Sequence, residues 1–132
     1  MAPTPADSYD DRYLEFVDLW NRREFYDAHE ALEDLWLDDD GPDRRFHQGL
    51  IHLAAAYLHL WRGNVPGARA RLASGAAHLH PYGDIHRGLD LAVFHRVART
   101  WLVNETPPPY DDHAVPHLVL CERPSPEPSE QT

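Results

Sequence analysis

Two stretches of this chain place side chains able to do chemistry at helical spacing. In FYDAHEALEDLW, residues 25–36, His29 and Glu33 are four positions apart and Glu30 sits beside them. In FHQGLIHLAAAYLHLWRGN, residues 46–64, Gln48, His52 and His59 recur in an otherwise apolar run. Each helical residue advances about 100°, so i and i+4 share a face, and positions 48, 52 and 59 fall within about 40° of one another. Imidazole, carboxylate and carboxamide groups in two such stripes can serve three ends. They can bind a divalent metal, as facing helices of bundles do. They can form an acid–base pair, with Glu33 orienting His29. They can also be a buried polar network that fixes helix packing and does no chemistry. H-E-x-x-E at 29–33 is not the zincin H-E-x-x-H, because Glu33 stands where the second histidine would be.

Other chemistries are excluded by residue type. All twelve basic residues are arginine, so no Schiff-base lysine or phosphate-loop lysine is available. None of the four serines (8, 74, 125 and 129) lies in a G-x-S-x-G turn. Cys121 stands alone in a Pro-rich region, a poor setting for a catalytic thiol. The formal net charge of −10 argues against tracking a nucleic-acid backbone or adhering to an anionic membrane. No apolar run is long enough to cross a bilayer. The N-terminus has no basic region followed by an apolar core, so no signal peptide is expected. With one cysteine there is no intramolecular disulfide, and a cytoplasmic location is expected.

The elements that position the two stripes follow from apolar periodicity. A first helix is expected over about 8–22, with Tyr13, Phe16, Val17 and Trp20 on one face and Asp7 as N-cap. A second is expected from Tyr26 to Leu37. After Gly41-Pro42, a third runs to about Arg62 with Pro42 in its first turn. The short connection makes the second and third helices antiparallel neighbours, so the two stripes can face each other. Gly63 suits the left-handed position past the third helix, and Asn64 suits the N-cap of a fourth over Val65–Leu79. That fourth helix is rich in glycine and alanine, which lets a neighbour approach closely. A fifth helix spans about Leu89–Asn104. The four tryptophans (20, 36, 61 and 101) fall on or beside apolar stripes and read as core. Asp38, Asp39 and Asp40 read as a solvated turn balanced by Arg44 and Arg45. The expected fold is all-α: a flexible N-terminus at 1–7, a compact bundle of about five helices over 8–105, and a Pro-rich tail over 106–132, largely extended or disordered. HLVLC at 117–121 could pack as a short extended segment.

The stretch A-H-E-A-L-E-D-L-W, followed by Q-G-L-I-H-L-A-A-A-Y-L-H, closely resembles the DUF309 family, small bacterial and archaeal helical proteins of unknown function, over about residues 10–105. The matching positions are His29, Glu30, Glu33, Trp36, Gln48, Gly49, His59, Gly63 and Asn64. The resemblance implies a compact all-helical fold and brings no accepted activity, substrate or cofactor. His52 departs from the pattern, since the family commonly carries glutamine there. The sharper metal-ligand set is therefore His29, Glu33 and His59, with Glu30 or Gln48 to orient water. The functional expectation is a small helical protein of unknown activity whose polar pocket lies between the second and third helices. Two alternatives stand beside it: a metal-dependent hydrolase-like enzyme using that pocket, and a helical interaction module or homodimer whose small-residue fourth helix and aromatic stripes supply the interface.

Overall fold

The computed structural model describes residues 9–104 and 108–120. Five α-helices form the domain: α1 Asp11–Asn21, α2 Phe25–Asp38, α3 Arg44–Trp61, α4 Val65–Leu79 and α5 Ala92–Asn104. A 3-10 turn at His80–Tyr82 and a hairpin of two-residue strands, β1 Ile85–His86 and β2 Leu89–Asp90, join α4 to α5. The all-α expectation holds. The first residues of the expected fifth helix form the hairpin instead, with Arg87 and Gly88 in the left-handed region at its turn.

Each helix buries the face its periodicity marks. In α1 this is Tyr13, Phe16, Val17 and Trp20, and in α2 it is Phe25, Ala28, Leu32 and Leu35. The N-cap of α1 is Asp10, whose carboxylate accepts from the Arg12 backbone N–H. Asp7, the expected cap, lies outside the described residues. Pro42 precedes α3 rather than opening it.

The central helix is α3, buried on most of its surface and packed between α2 and α4. Against α4 the approach is close enough to demand glycine on both sides. A Cβ on Gly75 would sit 2.9 Å from the Gly49 carbonyl oxygen, and one on Gly49 would sit 3.1 Å from the Gly75 oxygen. Gly75 and the buried Ala68 of α4 therefore serve packing within the chain, while Ala70 and Ala77 are exposed. Trp20 is the hub of the core, meeting Phe25, Tyr57 and Phe94 edge-on. Its indole N–H donates to the Pro116 carbonyl.

Residues 108–120 close over this end of the bundle, with Val115 and Leu118 buried in the core. Asn21 clamps Leu118 by bonds to both its N–H and its C=O. The expected extended segment at 117–121 thus packs as far as residue 120; Cys121 and the last eleven residues lie outside those described. Among the described residues no helix is long and apolar enough to cross a membrane.

The tryptophans divide. Trp20 and Trp101 are core and Trp36 is half-buried, but Trp61 is 64% exposed. Trp61 is the last residue of α3, where the chain turns away before a neighbour can cover it. The aspartate turn is also held differently from expectation. Asp38 pairs with Arg12 and Asp39 with His47, while Arg44 donates to backbone carbonyls instead.

Candidate functional site

A cleft of about 360 Å³ runs between α2 and α3, with Arg71 of α4 on its edge. The α2 wall carries Tyr26, His29, Glu33 and Trp36. The α3 wall carries Gln48, His52, Ala55, His59 and Arg62, with Ile51 and Leu58 at its base. The two stripes read from the sequence therefore face one space. Helix geometry explains why they can: α3 turns its apolar sides to α1, α2 and α4, and positions 48, 52, 55, 59 and 62 form the seam left over. Arg62 continues the seam one turn beyond His59, a spacing that was available in the sequence. Arg71 and Tyr26 were not foreseen. Gly63, at φ +80, ends α3 as expected. Asn64 caps α4 by accepting from the Gly67 N–H at 3.0 Å.

The polar groups of the two walls differ in how they are held. On α2, the imidazole, Glu30 and Glu33 can bring one ligand atom each to within 4.8 Å of one another. His29 Nδ1 is 3.8 Å from Glu30 Oε2, beyond hydrogen-bonding range. It is buried yet has no hydrogen-bond partner among the described residues, and the same is true of Trp36 Nε1 further along this wall. Glu30 does not line the cleft and is largely exposed. The Arg44 guanidinium lies 4.3 Å over the Trp36 ring.

On α3 the histidines are already engaged. His52 Nδ1 is hydrogen-bonded with Ser74 Oγ at 2.8 Å, and its ring lies 5.0 Å from that of His78. Burial, reinforced by His78, Arg71 and His29, pushes the His52 pKa down to about 4, so the ring is neutral near pH 7. Asn64 Nδ2 donates to His59 Nδ1 at 3.2 Å, its Oδ1 being occupied by Gly67. In a neutral ring this puts the His59 proton on Nε2. Across the cleft, no hydrogen bond joins a polar side chain of α2 to one of α3 among the described residues. His59 does not belong to the three-residue group on α2.

A second His/Asp corner, unforeseen from sequence, lies at the other end of α3. His47 Nδ1 donates to Asp39 at 3.0 Å; His86 Nε2 and Arg87 Nε both donate to Asp43, at 2.8 and 2.6 Å. Burial lowers the His47 pKa despite the opposing pull of Asp39. Burial also pushes the Asp43 pKa up, but the His86 and Arg87 bonds outweigh it and the net shift is down.

The fold and site define a class: a small all-helical domain with a polar His/Glu cleft between two antiparallel helices. Residues 13–71 match the family model of DUF309, a domain of unknown function. The match takes in α1, α2, α3 and the first half of α4, and thus every wall of the cleft. The chain is also similar to the uncharacterized protein YpuF of Bacillus subtilis (strain 168), 34% identical over 68 residues. That stretch is 50% of this chain and 39% of YpuF, so the chain spans well under half the length of this relative.

Proposed function

We propose that α2 holds a divalent cation at the edge of the cleft through His29 and Glu33, which line it, and Glu30, which stands just outside it. The observation that carries this reading is the buried, unpartnered Nδ1 of His29 beside two carboxylates whose ligand atoms converge with it. Ligand bonds of about 2.0–2.2 Å put two ligands of one ion roughly 3 to 4 Å apart, so small side-chain rotations suffice to close the group on one ion. One imidazole and two carboxylates, with no thiolate, suit zinc, manganese or ferrous iron. Three protein ligands leave positions open to water or an oxygen of a bound molecule, the arrangement that metal-assisted hydrolysis uses. The purely structural reading is less well supported, because among the described residues no hydrogen bond joins the polar side chains of the two walls. His59, with Nδ1 taken by Asn64, then acts from the facing wall as a hydrogen-bond donor rather than as a ligand. The acidic net charge supports a small-molecule or protein partner over nucleic acid, and the single cysteine supports a reducing compartment such as the cytoplasm.

The test is metal content by mass spectrometry on untagged protein exposed to manganese and to zinc, then desalted. The expected result is about one equivalent in wild type, lost in His29→Ala and Glu33→Gln but kept in His59→Ala. No stoichiometric metal in wild type overturns the reading.

A further inference from the structure

One end of the cleft does not stop at His29. Tyr26, Leu58 and Arg62 line it and also line a second depression of about 300 Å³ that continues over Trp61. The two depressions adjoin along the α2–α3 seam, a trough in two parts. Its far end is aromatic and unusually open: Trp61 is 64% exposed and Tyr26 53%, in a chain that places Trp20, Phe25 and Tyr57 deep in its core. Its lining is of mixed charge, with Glu24, Asp27 and Glu33 beside Arg23, Arg62 and Arg71. The net charge is −10, and Arg12, Arg22 and Arg87 all pair with carboxylates. Arg62 and Arg71, which border the trough, have no side-chain hydrogen bond or ion pair among the described residues.

We propose that this trough binds a nucleoside monophosphate, a flat heteroaromatic ring carrying a phosphomonoester. The proposal rests on the cation site described above. The ring lies against the exposed faces of Trp61 and Tyr26, where stacking is favourable for any base. The phosphate lies deeper, between the cation on α2 and the guanidinium groups of Arg62 and Arg71, which present planar donors matched to phosphate oxygens. Hard cations bound through one or two carboxylates commonly complete their shell with substrate phosphates. The combined space is within the size range of small-molecule sites. A free nucleotide fits better than a polynucleotide, because the acidic surface beyond the trough would repel further phosphates.

The experiment is calorimetric titration of the full chain with AMP, adenosine and inorganic phosphate, each with Mn²⁺ and again with EDTA. Tryptophan fluorescence is followed in parallel. The expected result is AMP binding in Mn²⁺ at least about tenfold tighter than either half-molecule, with quenching that Trp61→Leu removes. Trp61→Leu and Arg71→Ala should each weaken AMP about tenfold. Both residues are exposed, so the variants are expected to fold, and circular dichroism checks this. Manganese uptake without AMP binding overturns this inference and leaves the cation site standing. AMP binding that is equal in EDTA keeps the nucleotide and removes the cation. Affinity unchanged in both variants, or equal for AMP and phosphate alone, overturns the trough as the binding place.

Discussion

Histidines and carboxylates meet at two places on α3, and they meet in opposite ways. At the N-terminal corner each has found a partner: His47 with Asp39, and His86 and Arg87 with Asp43. At the edge of the cleft toward the other end, His29, Glu30 and Glu33 converge with no hydrogen bond to one another or to the facing wall among the described residues. The residue types are the same and the consequence differs. The satisfied, partly buried carboxylate of Asp43 is a brace that ties the hairpin to the start of α3. An unsatisfied imidazole beside carboxylates carries a cost of about 1–3 kcal/mol that a bound ligand can relieve. Asp43 shows what the brace displaces: it stands at the N-cap of α3, yet its side chain makes no cap bond, being held by His86 and Arg87.

The comparison can be broken most forcefully at the brace. Asp43→Ala leaves His86 and Arg87 without their acceptor, and a loss of about 2–3 kcal/mol in urea unfolding is expected. Stability equal to wild type would show that the corner is no brace. Next in size is Gly75→Val, which drives a branched side chain into the Gly49 backbone and Leu53. We expect about 2 kcal/mol of destabilisation, since backbone cannot yield as a side-chain tip can. A variant of undiminished melting temperature would refute the close crossing.

His52→Gln sharpens the comparison through pH. The folded pKa of about 4 lies below the usual 6.5, so on acidification the unfolded chain takes the proton first. His52 therefore contributes fully above about pH 6.5 and its contribution is lost as pH falls toward 4. The fall in melting temperature across that window should be shallower in His52→Gln; parallel curves would show that His52 does not titrate as described. The smallest effect on stability is expected at the cleft itself. His29→Ala has no hydrogen bond to lose, and relief of the unpaired nitrogen offsets the lost packing of the ring, so metal-free unfolding should change by less than about 1 kcal/mol. A drop of 3 kcal/mol would make His29 part of the brace system and return the cleft to a packing role.

Much of this was legible in the chain because helices write their burial into a 3.6-residue period. The α4 boundaries and the two stripes, 29 and 33 on one helix and 48, 52 and 59 on the next, follow from it, whereas that the stripes face one space needed the fold. The hairpin at 85–90 was not legible, because two-residue strands leave no period to read. Trp61 was misread as core for a related reason: its stripe is apolar, but the helix ends there and nothing lies opposite. The corner at His47 was hidden as well, since Asp43 and His86 are 43 residues apart and only the fold makes them neighbours.

Local sequence settled which elements form and which faces they bury, since periodicity, caps and turns act over a few residues. Tertiary structure decided which polar groups end with partners and which do not. That depends on hydrogen-bond distances between side chains far apart in the chain. Such distances are set by how closely α3 can approach α2 and α4, down to the contact between Gly49 and Gly75.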